Sequence, residues 1–350
     1  MKKIVSALLV FLMICSLLAS CGAPAENTES ESISDVVTDT SEIVTEDTAD
    51  TVEATPVRVA GMTGPTSIGM VKVISDSSNG TAKGNYNFTI AGSADEISPL
   101  LIKSELDIAA VPANLASVLY NKTEGKIKLL AINNLGVLYL LGKNADITTV
   151  EDLKGKTIYA TGKNATPEYS LRYVLEANGI DPENDVTIEF KSEPAEIVAI
   201  LKESESGIAM LPQPYVTVAK TQVEGLEIML DLGAEWKKVD PDSETVTGVI
   251  VARSEFVSEN PEAVATFLEE YTASCEFVNA NVEEAAVMVE EAGIFKAAIA
   301  KQAIPFCNVT GTTGEEMISV VNGYLNVLFS QNPGSVGGKL PGDDFYYIAE

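Results

Sequence analysis

Apolar and polar residues alternate along Val57-Arg58-Val59-Ala60, a β-branched pattern that predicts a strand. The pattern breaks at Gly61 and again at Gly64-Pro65, a turn dipeptide. Ile68, Val71 and Ile74 then recur at three-residue steps, the spacing of a buried helix face. Thr66 and Ser67 fall at the predicted helix start, where hydroxyl side chains make good N-caps. Thr63-Gly64-Pro65-Thr66-Ser67 is therefore expected to be a hydroxylated turn at which free N–H groups and the helix dipole gather. Such a turn suits a small ligand, an anion above all. An ordinary capped connection has the same ingredients, and no P-loop or dinucleotide fingerprint accompanies it.

The same alternation recurs downstream. Tyr86–Ala91, Leu106–Val111, Ile127–Ile132 and Gly136–Leu141 read as strands, and Leu115, Val118 and Leu119 mark an intervening helix. A second strand–turn–helix unit follows, its strand ending at Thr161-Gly162. A loop follows, and Thr166-Pro167-Glu168 predicts a helix start with Thr166 as cap and Pro167 in the first turn. Leu171, Val174 and Leu175 give that helix its buried stripe, and Glu168 and Arg172 are spaced for a surface ion pair. Val186–Phe190, Ile208–Leu211, Leu226–Leu232 and Val246–Ala252 are further strands. Tyr215 follows Pro212-Gln213-Pro214 at a turn, placed either to touch a ligand or to pack. Trp236 lies in a charged, loop-like stretch, to pack or to line a cleft. From Asn260-Pro261 onward the pattern is mainly helical. Strands alternating with helices predict an α/β protein with parallel sheets covered on both faces.

The first 55 residues differ from all of this. Residues 1–20 read as a secretory signal: Met1-Lys2-Lys3, an apolar run from Ile4 to Leu18, then small residues before Cys21. The run is too short to span a membrane comfortably. The ending Leu18-Ala19-Ser20-Cys21-Gly22 resembles the lipobox of bacterial lipoproteins, which implies lipidation at Cys21. Residues 21–55 are rich in Ser, Thr, Glu and Asp with no Lys or Arg, and are expected to be a disordered acidic tether.

Net charge is −28, which argues against nucleic acid as a partner. The chain has no histidine, which removes Ser-His-Asp and Cys-His catalysis and histidine-ligated metals together. No cofactor and no metal site is expected. Cys275 and Cys307 are too far apart in sequence for a metal or redox motif and are either bridged or separately buried.

Taken in order, these segments resemble the type II solute-binding proteins of ABC importers, in particular the nitrate/sulfonate/taurine and thiamine-precursor group. Gly64-Pro65-Thr66 is similar to that group's first ligand loop. Asp107-Ile108-Ala109-Ala110-Val111-Pro112-Ala113-Asn114 is similar to a strand-and-loop segment of the group, and Val150-Glu151-Asp152-Leu153-Lys154-Gly155-Lys156 to the entry of its second lobe. Gln213 stands where an acid often precedes the last proline of the later loop. The resemblance implies a two-lobed, periplasmic-binding-protein-like type II fold, with residues 56–143 and 246–350 in lobe 1 and 144–245 in lobe 2. It implies a small-molecule solute in the cleft, near Thr63, Gly64, Pro65, Thr66, Ser67, Asn114, Gly162, Thr166 and Tyr215. It also implies a monomer tethered outside the cytoplasm that docks on a membrane permease. Two other classes share the fold: a surface or sensing module that feeds no transporter, and a pyrimidine-synthesis enzyme.

Overall fold

The computed structural model describes residues 56–349. The signal, Cys21 and the tether lie outside the described residues. Among the described residues eleven strands occur in chain order: β1 (Val57–Met62), β2 (Tyr86–Ala91), β3 (Ile108–Pro112), β4 (Ile127–Leu135), β5 (Leu138–Lys143), β6 (Thr157–Ala160), β7 (Thr187–Phe190), β8 (Gly207–Pro212), β9 (Leu226–Asp231), β10 (Val246–Arg253) and β11 (Val309–Thr312). They form two sheets, one of order β11-β4-β10-β3-β1-β2 and one of order β7-β6-β8-β5-β9. Each sheet is the centre of one lobe, so the two-lobed α/β architecture is as expected.

Neither sheet is purely parallel, which corrects the expectation. β1 runs parallel to β2 and β3, but β10 is inserted antiparallel between β3 and β4. In the second sheet β6 is parallel to β7 and β8, while β5 is antiparallel to β8 and β9. β11 is likewise antiparallel to β4, and the other two reversed strands, β5 and β10, carry the chain into and back out of the second lobe.

That pairing also moves a boundary. β5 belongs to the second sheet, so residues 138–143 lie in lobe 2 and the first crossing falls at Gly136-Val137, not at 143. Alternation shows that a segment is a strand but not which sheet it joins. The return crossing lies between the helix Leu232–Val239 and β10. The crossings touch: a Cβ on Gly136 would lie 2.2 Å from the Thr245 hydroxyl and 3.3 Å from the Gly233 Cα, so the close approach requires glycine.

Trp236 is not in a loop. It sits in the helix Leu232–Val239, fully buried, with its ring 4.2 Å from that of Tyr173 and 5.6 Å from that of Tyr324. Its indole N–H donates to the Ser243 hydroxyl at 3.2 Å. Tyr324 belongs to the helix Gly314–Gln331 of lobe 1, so this aromatic cluster joins the lobes near the crossings. At the far end of the first sheet, Asp107 is buried between two guanidinium groups, 2.6 Å from Arg58 and 2.8 Å from Arg253. Burial alone would raise the Asp107 pKa, but hydrogen bonds from Arg58 and Arg253 outweigh it and hold the carboxyl below its usual range. Cys275 and Cys307 are separate buried thiols, and burial pushes each up to about 12.

Candidate functional site

Sheet strands of α/β proteins present ligands beyond their carboxyl ends. β1, β3 and β8 end at Met62, Pro112 and Pro212, and all three residues line one cavity of about 390 Å³ between the lobes. Lobe 1 contributes the turn Met62–Thr66, the segment Pro112, Asn114 and Leu115, and Thr247 of β10. The first crossing contributes Val137, with Leu138 next to it, and lobe 2 contributes Ala165, Thr166, Pro167 and Pro212.

The structure therefore brings Thr63, Gly64, Pro65, Thr66, Asn114 and Thr166 to one cavity, and Ser67, Gly162 and Tyr215 do not line it. Ser67 is wholly buried and its hydroxyl turns back to donate to the Met62 carbonyl at 2.6 Å. Gly162 stands behind the wall. Its φ of 79° and the closeness of Pro167, whose Cγ would lie 2.6 Å from an added Cβ, explain the glycine. Tyr215 begins the helix Tyr215–Gln222 and packs edge-on against Phe295, with ring centroids 5.8 Å apart. Gln213 is also structural: its Oε1 accepts from the Thr217 hydroxyl at 3.0 Å and the Thr217 amide at 3.3 Å.

The two turns are not capped as expected. Gly64, at φ 151° in a region that glycine alone enters easily, precedes a six-residue 3-10 helix, Pro65–Met70, which leads into the helix Val71–Asn79. Proline takes the first helical position, so Thr66 and Ser67 lie inside the helix and neither caps it. In lobe 2 Ala165 holds the N-cap position and Thr166 is the first residue of the helix Thr166–Ala177. The cap-like bond comes instead from Glu168, whose Oε2 accepts from the Asn164 amide at 2.6 Å while Oε1 pairs with Arg172 at 2.8 Å.

The displaced hydroxyls have different fates. Thr166 Oγ1 donates across the cleft to Asn114 Oδ1 at 3.2 Å, and Asn114 Nδ2 donates to the Ser335 carbonyl at 3.2 Å. Thr66 Oγ1 is buried without any hydrogen-bond partner, and Thr66 is only 3% exposed. Its backbone carbonyl accepts from Asn133 Nδ2 at 2.9 Å, which fixes the residue in place. Few buried polar atoms in folded proteins lack a partner. Thr66 Oγ1 is one of seven such side-chain atoms among the described residues and the one whose residue lines the interlobe cavity; as it stands it is closed off from that space, and a χ1 rotation would turn it toward a ligand there.

Sequence reasoning missed Met62, Leu115, Val137, Leu138, Ala165, Thr247 and three prolines of the wall: Pro112, Pro167 and Pro212. Pro112 and Pro212 had a usable signal, since each ends an apolar strand. Thr247 and Val137 had none, because they reach the cavity only through the interlobe crossings.

The NMT1/THI5-like family model matches residues 127–285, just under half of the chain. A Brucella abortus (strain 2308) protein named only for binding is 28% identical over 240 residues, covering 66% of this chain and 72% of its own length. Among solved structures, an ABC transporter protein from Parabacteroides distasonis superposes with a TM-score of 0.72 at 24% identity, covering 85% of this chain and 100% of that one. The periplasmic aliphatic sulphonate binding protein of Escherichia coli gives 0.64 at 14% identity, over 82% and 92% of the two chains. No helix among the described residues is long and apolar enough to cross a membrane. The match over residues 127–285 makes that part of the chain similar to NMT1/THI5-like proteins, and the superpositions show that the chain has the two-lobed α/β fold of these solved structures.

Proposed function

We propose that this chain is the extracytoplasmic solute-binding component of an ABC importer, holding a small organic or anionic solute between its lobes and delivering it to a membrane permease. The observation that carries this reading is the interlobe cavity itself, lined from both lobes and bordered by Thr66, whose buried hydroxyl has no partner. The family match and the sulphonate-binding and transporter neighbours support it. Thr63, Gly64, Pro65, Thr66, Asn114 and Thr166 form the ligand-facing set, and Ser67, Gly162 and Tyr215 support them from behind. The cleft binds and does not catalyse, because its lining offers no ionisable side chain as acid, base or nucleophile. Cys21 carries the lipid that anchors the protein, and residues 21–55 are the tether.

A ligand that binds only the native state raises the melting temperature. A thermal-shift screen of nitrate, sulfonates, pyrimidines and aromatic acids should give a hit that Leu115→Trp, which fills the cavity, abolishes. A hit retained at full strength in a folded Leu115→Trp protein would place binding elsewhere. Cys21→Ala should release the protein from membranes, and unchanged membrane fractionation would remove the anchor from the account.

A further inference from the structure

We infer that the cleft selects an uncharged, hydrocarbon-rich molecule and discriminates against the charged anion of the same shape. This rests on the reading of the cleft as the solute site and narrows what that site accepts.

Three observations converge. First, the described lining holds no Lys, Arg, Asp or Glu, and its polar side chains are threonines and one asparagine. Lys163, in the loop before Ala165, is exposed and does not line the cavity. An anion taken from water into such a site gains no ion pair, and desolvating an unpaired charge is strongly unfavourable.

Second, four of the lining residues are prolines, Pro65, Pro112, Pro167 and Pro212. Proline has no backbone N–H. Pro65 stands at the first position of its helical turn and Pro167 at the second of its helix, where free N–H groups would otherwise meet an oxyanion. The helix starts that suggested an anion site in the sequence thus present carbon, not donors, at those positions.

Third, the polar groups are mostly committed to the protein. Asn114 and Thr166 bond each other and Asn114 also bonds Ser335. Thr63 Oγ1 is 3.4 Å from the Ala91 carbonyl. Thr66 Oγ1, buried and unpartnered, and the Thr247 hydroxyl, which makes no hydrogen bond among the described residues, leave room for neutral hydrogen bonds alone within an apolar wall of Met62, Leu115, Val137 and Leu138. The overall charge of −28 adds a long-range repulsion of anions.

Sulfonate and sulfonamide pairs isolate the charge, because they match in shape and differ in net charge. The purified full chain is titrated with 4-methylbenzenesulfonate against 4-methylbenzenesulfonamide, and with hexanesulfonate against hexanesulfonamide, by saturation-transfer NMR and calorimetry. The sulfonamide of each pair is expected to bind at least tenfold more tightly, with an affinity flat from pH 6 to 8 and from low to moderate salt, and to lose that binding in Leu115→Trp. A sulfonate that binds as well as its sulfonamide, and is lost in Leu115→Trp, overturns the selectivity while leaving the cleft as the solute site. Binding that persists in Leu115→Trp and in a second cavity-filling variant, Ala165→Trp, both folded by circular dichroism, or no binding by any member of the panel, overturns the cleft reading itself.

Discussion

The two turns that face each other across the cleft are made of similar residues and do different work. Thr63-Gly64-Pro65-Thr66-Ser67 and Gly162-Lys163-Asn164-Ala165-Thr166-Pro167 each combine a glycine at positive φ, a proline and at least one hydroxyl. In lobe 2 the one hydroxyl and the amide at the turn are engaged: Glu168 holds the Asn164 amide, and Thr166 reaches Asn114 of the opposite lobe. In lobe 1 Ser67 bonds back to Met62, and Thr66 is left with a hydroxyl that nothing satisfies. The contrast shows that one turn is a finished structural joint and the other carries an open valence. An open valence is unfavourable in the empty protein and favourable when a ligand fills it. Composition alone does not separate the two cases.

The largest expected effect comes from crowding the open turn. A Cβ on Gly248 would lie 2.3 Å from Asn133 Oδ1 and 2.5 Å from Thr66 Cγ2. Gly248→Ala should cost about 1–3 kcal/mol of stability through overpacking, and should weaken solute binding because Thr66 is displaced. Denaturant unfolding together with calorimetric titration measures both, and a variant with unchanged stability and affinity would show that Thr66 is not held as described.

Next is Glu168→Ala, aimed at the finished turn. Loss of the Asn164 contact and of the Arg172 pair should destabilise the protein by about 1–2 kcal/mol, the scale of a lost cap, and leave cleft affinity unchanged. A large drop in affinity at unchanged stability would reverse the roles assigned to the two turns.

Thr166→Val is expected to be milder. It removes one hydrogen bond between the lobes, worth about 0.5–1.5 kcal/mol. Without ligand, small-angle scattering should record a more open average shape than for the native protein. An unaltered scattering curve would mean that the bond does not bias the lobes.

Much of this architecture is legible in the sequence, and the parts that are not have a common cause. Period-two and period-three-to-four patterns locate β1, β3, β8 and the helix Thr166–Ala177, because burial of one face writes itself into local spacing. Pairing partners are not local. β10 enters the first sheet antiparallel, and β5 joins the second sheet directly after Gly136, for reasons that lie in chain segments about a hundred residues away. The hydroxyls of the two turns illustrate the same limit. Thr66, Ser67 and Thr166 have the composition of caps, but Pro65 and the tertiary neighbours Met62 and Asn114 decide where each one points. Trp236 was hidden among the charges of Glu235, Lys237 and Lys238, although one face of that helix meets Tyr173 and Tyr324.

Thr66→Val tests the central claim most directly, because it moves stability and affinity in opposite senses. Valine keeps the shape and removes the unpartnered hydroxyl, so the empty protein should melt at the same temperature or higher. Titration calorimetry of the tightest ligand from the sulfonate and sulfonamide panel should then show binding weakened about fivefold, the equivalent of about 1 kcal/mol. Full affinity in a folded Thr66→Val protein would contradict the assignment of Thr66 as the point at which the cleft recognises its solute.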